Sequence, residues 1–225
     1  MPVTRDFPTT LDEAVQVQER LRPQVVLHPP PGFAPRLVAG LDVSMERDAT
    51  ECVAGIVVLA LPTLEVVDQA TAVAPVPMPY VPGFLAFREL PAVAAAWDRL
   101  RTRPDVLVFD GQGYAHPRRF GVACYGGLLF EVPSIGSAKS ILVGRHAELP
   151  PDRLARAPLV HRREVVGAAI RLRERTLPVF VSPGHLMDVD TAVDVVVSVG
   201  AGFREPETTR KAHKLVNAER VARRG

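Results

Sequence analysis

The sequence predicts a mixed α/β fold: a central sheet with antiparallel first three strands and helices on both faces. Three observations carry this expectation. Residues 36–45 (RLVAGLDVSM), 51–61 (ECVAGIVVLAL) and 65–76 (EVVDQATAVAPV) are strand-like runs in close succession. Their separators, ERDAT and PT, are short and polar or proline-bearing, so neighbouring runs should pair as antiparallel hairpins. The run DVLVFD at 105–110 is nearly all apolar, the pattern of a central strand covered on both faces. Beyond it helical and strand patterns alternate, which calls for helices layered on each side of one mixed sheet.

The elements follow in order. Residues Thr10, Leu11, Asp12 and Glu13 fit a capping box, and apolar positions recur at helical spacing up to Pro23. A proline-rich connector (HPPPGFAP) leads to the three strands. Pro75, Pro77, Pro79 and Pro82 then exclude both helix and central strand over 75–83. A helix is predicted from about Phe84 to Leu100, with Pro91 kinking or splitting it. After DVLVFD come a loop (GQGYAHP), a glycine-bearing helix over 118–130 and a short strand in VPSIGSAK. A variable connector over 144–158 precedes strands at 164–172 and 177–183. A helix in DVDTAVDVVVSVG and a basic helix from about Glu207 complete the order. No repeat, low-complexity tract or linker interrupts the chain, so residues 1–225 are expected to form a single domain.

Composition narrows the classes. A chain of 225 residues, 47% hydrophobic and 23% charged, can bury one sizeable core. Two cysteines, Cys52 and Cys124, exclude a disulfide scaffold and suggest an intracellular protein. The longest apolar run, CVAGIVVLAL, stops at Pro62, far short of the ~20 residues of a membrane span, and the N-terminus has no signal-like core. The expectation is a soluble, cytoplasmic protein with no membrane partner. A net charge of +2 neither demands nor excludes nucleic acid. Local clusters can bind phosphate without a basic total. Arg118 and Arg119 are adjacent, and Arg210, Lys211, Lys214, Arg220, Arg223 and Arg224 crowd the tail. Arg171, Arg173 and Arg175 alternate and fit a solvated surface.

Three carboxylates carry the chemistry. Asp42 interrupts an apolar strand, Asp110 ends another at a glycine-rich loop, and Glu89 sits early in the helix after the proline-rich segment. An unpaired charge in apolar surroundings is costly, and a hard divalent cation such as Mg²⁺ is one partner that would explain all three. The plainer alternatives are a backbone-bonded Asp42, a turn-forming Asp110 and an exposed Glu89. The segment PYVPGFLAFRE is more specific. Pro79, Pro82 and Gly83 would stiffen a loop presenting Tyr80 and Phe84, and a rigidly held aromatic can wedge between stacked bases. Both rings packed on the core is the competing expectation. His116 could contact phosphate or bond to backbone. Lys139 could neutralise transition-state charge or simply end a strand. His185 fits a capping position and His213 a surface helix position.

Together these stretches resemble the endonuclease V family of deoxyinosine-repair nucleases. The resemblance rests on LVAGLDVS, PYVPGFLAFRE, VFDGQGYAHPRRFGVA, VPSIGSAKS and VFVSPGH, in family order from about Pro8 to His213. It implies an RNase H-like fold. It implies Mg²⁺, with Mn²⁺ as a substitute, held by Asp42, Glu89 and Asp110. It implies a wedge built on Tyr80 and Pro82, a base pocket using Gly83, Leu85 and Gly111, and Lys139, His116 and His213 near the scissile phosphate. The implied partner is DNA containing deoxyinosine, met by a monomer. The implied product is a nick at the second phosphodiester bond 3′ to the lesion, leaving a 3′-hydroxyl and a 5′-phosphate. Inosine-containing RNA as substrate, or a non-catalytic inosine-binding module, are the alternatives. Met45, Phe109 and the sequence SPGHLMD depart from the family's usual residues; none touches the carboxylates, Tyr80 or Lys139.

Overall fold

The computed structural model describes residues 3–45 and 50–223. Most of the separator predicted at 46–50 lies outside the described residues, as does Arg224.

Strands β1 (Leu37–Ser44), β2 (Glu51–Ala60) and β3 (Glu65–Pro75) form the expected antiparallel meander, with Asp42 of β1 opposite Gly55 of β2. On the other side of β1 lies β4 (Val106–Phe109), parallel to it and buried along its whole length. Then come β5 (Ser134–Ala138), β6 (Arg156–His161), β7 (Glu164–Ile170) and β8 (Val179–Pro183). Among the described residues they complete an eight-stranded sheet ordered β3-β2-β1-β4-β5-β8-β7-β6, in which the β1–β4 and β4–β5 pairs are parallel and the rest antiparallel. Asp110 N–H donates to the Leu41 carbonyl at 3.1 Å, so Asp42 and Asp110 lie side by side on adjacent parallel strands.

The period of two along each strand divides the core. Ala39, Leu41, Ala54, Ile56, Leu107 and Phe109 face helices α1 (Leu11–Leu21), α2 (Leu85–Trp97) and α3 (Val122–Phe130). Val106 and Val108 instead join α4 (Val189–Ser198), and Val57 and Leu59 meet α5 (Glu207–Ala222). Thr10 and Glu13 form the capping box at the start of α1. Helix α5 approaches β1 and β2 closely because Gly40 and Gly55 lie beneath it: a Cβ on Gly40 would stand 2.1 Å from the Thr208 carbonyl oxygen. That approach brings His213 over the sheet.

Four expectations need correction or refinement. The helix predicted from residue 118 begins at Val122, because residues 118–121 are spent on a turn in which Arg119 is left-handed (φ 57°) and Gly121 donates to the Gly113 carbonyl. Strand β6 replaces what the sequence predicts to be largely connector. It is an edge strand tolerating Pro158, and its tight turn uses Arg162 and Arg163, residues that give no turn signal. Helix α2 runs through Pro91 without a break, held by the buried Phe87, Leu90, Val93 and Ala94. Phe84, expected on a protruding loop with Tyr80, is buried.

Candidate functional site

Asp42 and Asp110 stand near the carboxyl ends of adjacent parallel strands, where open sheets commonly place ligand sites. Glu89 joins them from the second turn of α2. Burial raises the Asp42 carboxyl above its ordinary range, and the charge of Asp110 raises it further, while His213 draws it back. Glu89 is pushed well above the usual range, first by burial and then by the charges of Asp42 and Asp110, with Arg88 opposing. The three carboxylates therefore feel one another and lack sufficient positive charge.

Two side chains partly supply it. Lys139, one residue beyond β5, places Nζ 2.6 Å from Asp110 Oδ2 and 3.3 Å from Glu205 Oε2. Burial alone would lower the Lys139 pKa, but its bond to Asp110 and the two carboxylate charges outweigh this and raise it. On α5, His213 Nδ1 lies 2.9 Å from Asp42 Oδ2, and Asn217 Nδ2 donates to His213 Nε2 at 2.9 Å. Asn217 thereby fixes the proton on Nδ1, facing Asp42. With Asp110 held by Lys139 and Asp42 by His213, no three His, Cys, Asp or Glu side chains among the described residues converge as a ready metal cage. The donor set nevertheless fits a hard cation: oxygen ligands, partly desolvated and mutually repelling.

A pocket of about 310 Å³ opens beside this cluster. Tyr80, Pro82, Gly83, Leu85, Gly111 and Gln112 line it together with Asp110 and Lys139. Tyr80 is 62% exposed, so its ring is available to a partner rather than committed to the core. Gly83 has φ +86°, a left-handed conformation that glycine adopts without strain. Its carbonyl accepts from Gln18 Nε2 at 2.9 Å and from His116 Nε2 at 3.0 Å. Arg118 N–H donates to His116 Nδ1 at 3.2 Å, so the ring is the neutral Nε2–H tautomer. Burial pushes the His116 pKa down to about 4; its bond to Gly83 resists this, and Arg118 and Arg119 push the same way as burial. His116 thus matches the backbone-bonded alternative, while still lining the pocket.

Of the residues singled out, Asp42, Glu89, Asp110, Lys139 and His213 gather at the carboxylate cluster, and Tyr80, Pro82, Gly83, Leu85, Gly111 and His116 gather at the pocket. His185 is not the cap of α4. Asp188 caps it by accepting from Thr191 N–H, and His185 Nδ1 accepts from Val26 N–H at 3.2 Å. Sequence reasoning missed Gln18, Gln112, Asn217 and Glu205. Gln18 had a signal: it is a polar residue at a helical spacing that buries Ala14 and Leu21. Gln112 donates to the Ser140 carbonyl at 2.8 Å, tying the loop to the strand end beyond Lys139.

A mixed sheet with an acidic cleft at its parallel centre is the arrangement of an RNase H-like fold, and solved structures agree. Endonuclease V of Streptomyces avermitilis superposes with a TM-score of 0.90 at 41% identity, covering 100% of this chain and 99% of that one. Endonuclease V of Ciona intestinalis, solved with a 24-mer DNA containing an inosine followed by a ribo-adenosine, gives a TM-score of 0.76 at 26% identity, covering 93% and 97%. Residues 19–214 match the family profile described as Endonuclease V. Endonuclease V of Myxococcus xanthus is 57% identical over 98% of this chain and 94% of its own length. The chain belongs to the Endonuclease V family of nucleases.

Proposed function

We propose that this protein nicks DNA strands at deoxyinosine, acting as a monomeric, single-domain enzyme of residues 1–225. One observation carries the reading: a repelling carboxylate cluster shares Asp110 and Lys139 with a base-sized pocket, and an exposed aromatic rises from that pocket's rim.

Tyr80, braced by Pro82, takes the place of an extruded nucleotide and offers a stacking face to its neighbours. The base enters the pocket and meets backbone at Gly83, Leu85 and Gly111. Gln18 and His116 fix the Gly83 carbonyl, so this wall is set before the base arrives. Asp42, Glu89 and Asp110 would hold a divalent cation, with Mg²⁺ preferred for its match to oxygen donors and Mn²⁺ as a substitute. When bound, that cation supplies Lewis-acid charge for phosphodiester hydrolysis. Lys139 offers a fixed positive charge to a phosphate oxygen. His213 orients the Asp42 carboxylate and holds a proton at Nδ1. The expected cut is the second phosphodiester bond 3′ to deoxyinosine, with 3′-hydroxyl and 5′-phosphate ends.

The Ciona relative was solved with a ribo-adenosine following the inosine, which makes inosine-containing RNA the second reading. Matched DNA and RNA oligonucleotides in one competition assay separate the two. Faster cutting of DNA supports the deoxyinosine reading; exclusive cutting of RNA overturns it.

A further inference from the structure

Beside the pocket, a second cluster ties the β6–β7 hairpin to the loop after β4. Arg119 is buried and donates from Nε to Glu164 Oε2 at 2.8 Å and from Nη1 to the His116 carbonyl at 2.9 Å. Its Nη1 also lies 2.9 Å from His161 Nδ1, and Tyr114 O–H donates to Glu164 Oε1 at 2.7 Å. Both oxygens of Glu164 are therefore engaged, and the hairpin tip is anchored to the segment that carries His116.

Four arginines surround this anchor. Arg162 and Arg163 form the tight turn between β6 and β7, both exposed and both left-handed (φ 54° and 67°). L-residues disfavour that conformation, and glycine or asparagine would satisfy it better, so turn geometry does not explain them. Arg118 lies with its guanidinium 4.6 Å from the centre of the Phe84 ring, beside Gly83. Arg22, at the end of α1, lines an open groove of about 350 Å³ with Arg118, Pro117 and Gln18. Arg22 is close enough to Glu164 and Tyr114 for its charge to act on both. Glu19 also lines the groove. Among the described residues, none of Arg22, Arg118, Arg162 and Arg163 has a carboxylate within 4.0 Å.

We infer that Arg22, Arg118, Arg162 and Arg163 form a phosphate-binding shelf that grips the sugar–phosphate backbone of duplex DNA flanking the nucleotide held in the pocket. The shelf rests on the nuclease reading for its place beside the lesion, but its chemistry is sequence-independent. Arginine forks suit phosphate oxygens, and such contacts set register while the pocket reads the base. The anchoring of the hairpin by Arg119 makes that register rigid relative to Gly83 and His116.

The test is the salt dependence of binding, read by fluorescence anisotropy in EDTA on a deoxyinosine duplex and on an undamaged one. For each phosphate deprived of its arginine, the slope of log affinity against log salt should fall by about 0.9. For R22Q/R162Q/R163Q the slope should therefore fall by roughly two to three, with affinity at least about tenfold weaker near 0.1 M salt. R22K/R162K/R163K should regain most of the slope. R173Q/R175Q, which removes arginines from the opposite end of β7, should keep it. An R22Q/R162Q/R163Q slope equal to that of the unaltered protein overturns the shelf, as does an equal loss in R173Q/R175Q. Failure to nick at inosine would count against the proposed function alone, because the slope on the undamaged duplex still decides for or against the shelf.

Discussion

His213 on the last helix reaches Asp42 on the first strand, Nδ1 to Oδ2 at 2.9 Å across 171 residues of sequence. Asn217 completes a relay by donating to the far ring nitrogen. Partners that orient a ligand in this way typically contribute about 10- to 100-fold to metal affinity or activity. His213→Ala should lower the nicking rate by about that factor with folding intact, and Asn217→Ala by less. Steady-state nicking across a Mg²⁺ titration checks both; an unchanged rate together with an unchanged half-saturating Mg²⁺ concentration in His213→Ala contradicts the assigned role.

Glu89 is held in a protonation-prone state by burial and by Asp42 and Asp110. Glu89→Gln replaces a carboxyl whose charged form is disfavoured there with a neutral isostere, so the metal-free protein should melt no lower and up to about 4 °C higher, the shift expected for roughly 1 kcal/mol in a domain of this size. A ligand that binds only the folded state raises the melting temperature, so Mg²⁺ should stabilise the unaltered protein and not the variant. Calorimetry with and without Mg²⁺ decides this.

His116 gives a pH signature. Burial holds its folded-state pKa at about 4, while the unfolded chain takes up the same proton near pH 6.5. Its contribution is complete above the unfolded value and is lost as pH falls from 6.5 towards 4, amounting to up to about 3 kcal/mol. The groups facing the ring are the Gly83 carbonyl, shared with Gln18, and the guanidiniums of Arg118 and Arg119. Urea unfolding at several pH values should show a shallower pH dependence in His116→Gln than in the unaltered protein. Parallel curves would refute the assignment.

Tyr80 has little core to lose. With 62% of its surface exposed, Tyr80→Ala should change stability by less than about 0.5 kcal/mol. Base–aromatic stacking contributes about 1–3 kcal/mol, so affinity for a deoxyinosine duplex should fall roughly 5- to 150-fold. Anisotropy titration of the variant checks the separation of binding from folding.

Much of this is legible in the sequence for identifiable reasons. Asp42 and Asp110 break or end apolar strand patterns, and Tyr80 sits between prolines that forbid regular structure; both are local signals. Helix α1 announces itself by its capping box, and β4 by unbroken apolarity. Strand β6 stays hidden because an edge strand needs only alternate burial and its arginine turn carries no glycine or asparagine. The choice between phosphate and backbone for His116 depends on Gly83, 33 residues away, and the bonds of Lys139 to Glu205 and of His213 to Asp42 exist only once the last segment of the chain lies on the sheet. Interactions set by tertiary approach have no spacing to read.

The most direct measurement is a nicking assay on an end-labelled duplex carrying one deoxyinosine, beside the same duplex carrying adenine, with Mg²⁺ and with EDTA. A Mg²⁺-dependent cut at the second phosphodiester bond 3′ to inosine, absent from the adenine duplex and from Asp110→Asn, is the expected result. Equal cutting of both duplexes, or full cutting by Asp110→Asn, would contradict the coupling of this pocket to these carboxylates.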